Sequence, residues 1–178
     1  EGIIAEDPGN PLGHFFLAMV TWWRVLADLQ DRSHDEAFYA LLQRCIDVCE
    51  RRLAQDPNDF DAILFEGVAI GFRGRLRGDR HDFVRAARDG LRCLPLLEKS
   101  EQLEPTNKDI LFGQGIYNYF AAVIPKQYPV VRPVMVFLDA GDRDLGLKQL
   151  EEVAREGRYA RAEAKYFLAQ IHRLFEHD

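Results

Sequence analysis

Asp56-Pro57-Asn58-Asp59-Phe60-Asp61-Ala62-Ile63-Leu64-Phe65-Glu66-Gly67 and Glu104-Pro105-Thr106-Asn107-Lys108-Asp109-Ile110-Leu111-Phe112-Gly113-Gln114-Gly115 are two copies of one pattern. Their prolines lie 105 − 57 = 48 residues apart, and so do Asp61 and Asp109, Gly67 and Gly115, and Cys45 and Cys93. Asp7-Pro8-Gly9-Asn10 opens the same pattern 57 − 8 = 49 residues earlier. In each copy a turn cluster is followed by apolar residues at helical spacing. A period near 48 has room for two helices and their turns. One helix pair cannot cover its own apolar face, so successive pairs must stack. The expected fold is all-α, an α-α superhelix of about seven long antiparallel helices.

Outward from these stretches, residues 11–30 read as a helix opened by Pro11 and carrying Phe15, Phe16, Met19, Val20 and Trp23. Ser33 and Glu36 have capping-box spacing, predicting a helix from there to about Gln55. Further helices are expected over about 59–76, from Asp79 or Asp82 to 103, and over 108–123, 143–156 and 160–175. Gly67, Gly71 and Gly74, at i, i+4 and i+7, predict close approach of a neighbouring helix, at about 1 kcal/mol of helix propensity per glycine. Pro125, Pro129 and Pro133 predict that no helix continues through their segment, with one short apolar turn over 133–138. Gly157 is expected to close the helix before it. The repeat units fall at about 9–57, 58–105, 106–157 and a partial 158–178, forming a single domain over 1–178. Neither end reads as a polar capping repeat, so we expect a piece of a longer array, or homo-oligomer contacts through uncapped ends.

Composition narrows the function classes. Of 178 residues 47% are hydrophobic and 29% charged, typical of a folded chain and not a disordered one. The formal charge of −6 argues against nucleic acid as the main partner. No apolar run reaches the roughly 20 residues needed to span a bilayer, and the start has no basic or apolar leader character. We therefore expect a soluble chain that is not integral to a membrane, with cytoplasm and periplasm both open. Cys45, Cys49 and Cys93 lack zinc or redox spacing and read as small apolar core residues. His14, His34, His81, His172 and His177 form no ligand set, and no activated nucleophile or phosphate loop is present. The expectation is no catalytic residue, no metal and no cofactor.

The repeat resembles the tetratricopeptide repeat. Counted from Pro57, Ile63 and Gly67 take that family's large and small positions, with Ile70 next; from Pro105, Leu111 and Gly115 do so. Glu163-Ala164-Lys165-Tyr166-Phe167-Leu168-Ala169 looks like a further first helix, with Leu168-Ala169 as the Leu-small pair. Glu66 and Gln114 stand where the family wants leucine, and Asn118 where an aromatic is usual. The period also exceeds the usual ~34 residues. Gly115 to Phe120, Ile124-Pro125, and Gly141-Asp142-Arg143 with Gly146-Leu147 and Leu150 are similar to long-helix members in bacteria and to a eukaryotic family linked to inclusion-body clearance. The resemblance implies a protein-binding scaffold without catalytic residues. Its concave groove would include Phe15, Met19, Trp22, Leu64, Val68, Phe112, Ile116 and Tyr119. These side chains are equally compatible with a core.

Two further site readings come from the residues. Arg73, Arg75, Arg77 and Arg80 begin a run of seven arginines over residues 73–92, read either as solvated ion pairs such as Asp82–Arg85 or as an anion-binding site. The leading function is a non-enzymatic scaffold that binds a peptide or helix of a partner protein in a groove. The alternative is a small-molecule or lipid-binding module with its pocket under Pro125–Leu138, where Val130, Val131, Val134, Met135, Val136, Phe137 and Leu138 are apolar.

Overall fold

The computed structural model describes residues 2–129, 132–136 and 139–176. Among them every regular element is helical and no strand occurs. The elements are α1 (Gly2–Glu6), α2 (Pro11–Ala27), α3 (Asp35–Leu53), α4 (Phe60–Asp79), α5 (Phe83–Leu103), α6 (Ile110–Gln127), α7 (Arg132–Met135), α8 (Arg143–Glu156) and α9 (Arg161–Ile171). A π-helical turn, His172–Glu176, continues α9. The seven expected long helices are present. They fall into two compact units, Glu1–Leu103 and Glu104–Asp178.

In the first unit the repeat's turn clusters act as helix starts. Asn10 accepts from the Leu12 N–H at 3.0 Å, with Pro11 at the first helical position, where its missing N–H loses nothing. Asp59 accepts from the Ala62 N–H at 3.1 Å while the Arg52 guanidinium grips its carboxylate at 2.6 and 3.1 Å. An aromatic seam joins α2 to its neighbours: Trp22 stacks on Phe38 at 5.3 Å and meets Phe72 at 5.5 Å. Cys45, Cys49 and Cys93 are buried, as expected of core thiols. Burial pushes the Cys93 thiol up to about 12, so it stays protonated and unreactive.

The glycine face of α4 does meet a helix, namely α5. A Cβ on Gly67 would lie 3.2 Å from Leu96 Cβ, one on Gly74 3.1 Å from Asp89 Cβ, and one on Gly71 3.8 Å from Cys93 Sγ. Small residues here let the two helices approach closely.

Four sequence expectations need correction. The Ser33–Glu36 capping box does not form: Ser33 Oγ donates to Asp31 at 2.7 Å, and His34 takes the N-cap position without a side-chain bond. Helix α4 runs past the Gly74–Gly78 stretch to Asp79, because α5 supports its glycine face. Helix α6 continues through Pro125 to Gln127, since a proline in the last turn forfeits few backbone bonds. Gly157 closes α8 without left-handed backbone (φ −59°); it is small because a Cβ would meet the Val153 carbonyl at 2.7 Å. Of the proline-rich segment, Val130, Val131, Phe137 and Leu138 lie outside the described residues. The expected short turn appears as α7.

One backbone position is strained. His81 has φ 63° at the end of α4, where the Asp82 N–H reaches back to the Arg77 carbonyl at 2.8 Å. This is a left-handed helix stop that favours glycine. His81→Gly is therefore expected to raise stability by about 1 kcal/mol, the left-handed penalty of a side chain, read as a higher urea midpoint.

The second unit is built on one close crossing. Gly146 of α8 lies against α6 so tightly that a Cβ would sit 2.6 Å from the Tyr119 N and 2.8 Å from the Gly115 carbonyl oxygen. Gly115 returns the contact, with a Cβ there 2.9 Å from Leu150 Cγ. Gly141 approaches the Asn118 carbonyl, and Asp142 caps α8 through the Leu145 N–H at 2.9 Å. Phe112 meets Phe167 at 5.4 Å. Buried Asp109 fixes α9, accepting from the Tyr159 N–H at 3.0 Å and the Ala160 N–H at 3.0 Å. Its repeat partner Asp61 is exposed and has no such task.

Candidate functional site

The arginine run condenses into an internal lattice on α3, α4 and α5. Asp89 of α5 is 3% exposed and held from two sides, by Arg73 at 2.8 Å and Arg77 at 2.5 Å. Arg73 also donates to Gln43 Oε1 of α3 at 3.0 Å, and the Arg77 guanidinium lies 5.9 Å from the centre of the Tyr39 ring. Burial raises the Tyr39 phenol pKa, keeping it neutral beneath that cation. Arg75 pairs with Asp79 at 3.1 Å; burial nonetheless raises the Asp79 carboxyl above its ordinary range. Arg80 clamps Asp35 with both arms, at 2.6 and 2.8 Å, and donates to the carbonyls of Leu29 and Asp31.

These forks already hold carboxylates of the fold itself. An incoming carboxylate or phosphate must displace Asp89, Asp79 or Asp35, so the expectation of an open anion site at Arg73, Arg75, Arg77 and Arg80 is corrected. The ion-pair reading holds, including the exposed Arg85–Asp82 pair at 3.3 Å.

The lattice also explains the polar departures from the repeat pattern. Glu66, where leucine was wanted, is 5% exposed and receives Arg92 at 2.7 Å, and Arg92 also reaches Glu50 at 2.6 Å. One period on, Gln114 accepts from Gln149 at 3.3 Å, and Gln149 accepts from Asn118 at 2.8 Å. In both units that position binds the first helix of a pair to the second through a polar bridge.

The eight positions assigned to a concave groove divide differently. Phe15, Met19, Trp22, Leu64, Phe112 and Tyr119 are buried, while Val68 and Ile116 are half-buried. Phe15 lies 5.5 Å from Phe65 and 5.9 Å from Phe72 across α2 and α4. Tyr119 donates to Glu176 at 2.6 Å, and Arg143 holds the same carboxylate at 3.1 Å, depressing its pKa. The six buried side chains are core, which corrects their assignment to an open surface. A helix flanked on two sides must bury more than one stripe.

The exposed apolar surface lies one residue further along α2. Phe16, Val20 and Trp23 are 38%, 55% and 41% exposed, at i, i+4 and i+7. Exposed Arg24 flanks them, and α2 contains no acidic residue. Sequence reasoning listed these residues on the helix but not as a site. The usable signal is that α2 is apolar on nearly every side, more than its neighbours within the unit can cover.

Two open depressions are also present. One, of about 300 Å³, is lined by Ile4, Ala5, His14, Leu17, Leu41 and Arg44. The other, of about 330 Å³, lies at Ala121, Ala122, Pro125, Lys126 and Asp139–Gly141. Of the apolar side chains proposed to roof a lipid pocket, only Val136 is described, and it is 77% exposed. Among the described residues no group of three or more His, Cys, Asp or Glu is placed to hold a metal, and no helix is long and apolar enough to cross a membrane. Comparison with protein-family models, with curated proteins and with solved structures finds no match.

Proposed function

We propose that this chain is a tetratricopeptide-like helical-repeat module, part of a superhelical array, that binds a partner protein and carries out no chemistry itself. The observation that carries this reading is the Phe16–Val20–Trp23 stripe, three large apolar side chains in helical register on the surface of α2. Contiguous exposed apolar surface of this kind marks interaction sites, and aromatic anchors dominate binding energy where they are covered. The buried charge lattice on α3, α4 and α5 supports the same reading, because it stiffens the unit that presents the stripe. The proposed contact surface is this stripe and not the buried groove positions.

The test places a photo-crosslinking amino acid at Val20 and, as control, at equally exposed Val84 of α5 (58%). In an extract of the source cells, the Val20 probe is expected to give a discrete adduct that the Val84 probe does not. Identical adduct patterns from both positions contradict the reading.

A further inference from the structure

The repeat shows what kind of surface covers the α2 stripe. Shifted by one period, Phe16, Val20 and Trp23 become Phe65, Ala69 and Phe72 (65 − 16 = 69 − 20 = 72 − 23 = 49). Those three side chains of α4 are buried, at 7%, 0% and 5% exposure. The helix against them is α2, whose Phe15 meets Phe65 and Phe72 and whose Trp22 meets Phe72. Phe15 pairs with Phe65, and Trp22, seven residues on, with Phe72, also seven on, so the two helices run parallel. The same stripe therefore occurs twice in the unit, covered in the second copy and exposed in the first.

We infer that the Phe16–Val20–Trp23 stripe docks an amphipathic helix of a partner protein, parallel to α2, that presents large apolar side chains at i, i+4 and i+7 as α2 presents Phe15, Met19 and Trp22 to α4. This deepens the binding reading above and rests on it. Arg24 beside the stripe, on a helix without a carboxylate, favours a partner helix with an acidic flank. A second copy of this chain fits poorly. In the last first helix, Ala169 corresponds to Gly115, so Tyr166, Gln170 and Arg173 stand where Phe112, Ile116 and Tyr119 stand (166 − 112 = 170 − 116 = 173 − 119 = 54). That face is polar, with Gln170 bonded to the Tyr166 hydroxyl at 2.9 Å, and offers no aromatic ridge to the stripe of another copy. Two stripes facing each other would bury three side chains a side, well short of the roughly 800 Å² per partner typical of a stable dimer.

The probe is a fluorescently labelled synthetic peptide of residues 10–28, the segment that covers the equivalent stripe on α4. Titrated against the whole protein, it is expected to bind saturably at one site, and a scrambled peptide of the same composition is not. Val20→Glu, at an exposed position, should weaken binding at least tenfold while leaving the circular dichroism spectrum unchanged. Val84→Glu should stay within twofold of the parent. A nitroxide on the peptide's amino end should broaden resonances near Phe16 and not those near Ala27. Absent saturation, equal binding by the scrambled peptide or by Val20→Glu, the reversed nitroxide pattern, or concentration-dependent self-association abolished by Val20→Glu each overturns the inference. If the peptide fails while the Val20 photo-probe still yields a discrete adduct, repeat-like docking is wrong and the binding reading stands. If both fail, the binding reading falls with it.

Discussion

Gly146→Ala is expected to destabilise the second unit by about 3 kcal/mol, the upper range for forcing volume into a packed site. The added methyl would sit 2.6 Å from the Tyr119 N, 2.8 Å from the Gly115 carbonyl oxygen and 3.0 Å from the Tyr119 Cα. All three are backbone atoms of α6, so no side-chain rotation relieves the contact. The helices must separate, and the cores around Leu150, Tyr119 and Val153 then lose their packing. Gly90→Ala provides the contrast. Gly90 is also inside a helix, but nothing lies within 4 Å of a Cβ there. Removing its conformational freedom should stabilise the chain by about 0.5–1 kcal/mol. Urea unfolding followed by circular dichroism reads both changes. A Gly146→Ala variant within 1 kcal/mol of the parent would show that α6 and α8 can repack around a methyl.

The second large effect is expected at Asp89. Removing its carboxylate with Asp89→Ala leaves Arg73 and Arg77 facing each other with side chains 11% and 23% exposed. Stripping one partner from a buried ion pair costs about 3–5 kcal/mol, most of it the penalty of uncompensated buried charge. Arg85→Ala removes an ion pair of the same type whose arginine is 67% exposed, and should change stability by less than about 1 kcal/mol. Replacing Arg73, Asp89 and Arg77 together with Met, Leu and Met should recover much of the loss, because no unpaired charge remains. If Asp89→Ala and Arg85→Ala shift the urea midpoint equally, the lattice is not the buried network described above.

Asp89 also shows where sequence reading stops. The arginine count in 73–92 was visible, and both an internal and an external use of it followed from charge alone. Which use applies depends on Asp89, Asp35, Glu50 and Glu66, which lie 12 to 45 residues from the arginines they bind (89 − 77 = 12; 80 − 35 = 45). Only packed helices bring them together. The groove residues failed for a related reason. Periodicity places Phe15, Met19 and Trp22 on one stripe and Phe16, Val20 and Trp23 on the next, about 100° around the helix. It does not say which stripe receives a neighbour.

Local and repeated features did determine a great deal. The turn clusters at Pro8, Pro57 and Pro105 set the helix pairs, since Pro, Asn and Asp end or cap helices through bonds within a few residues. The glycines at 67, 71 and 74 announced a close helix neighbour, because an absent side chain has few other uses there. Sequence by itself thus determined an all-helical repeat and the limits of its elements to within a few residues. Only the tertiary structure decided which apolar stripe is core, which cations are already satisfied, and where α8 presses on the backbone of α6. Local bonds are encoded within a turn of helix, whereas burial and charge compensation are made by residues that meet only after the chain has folded.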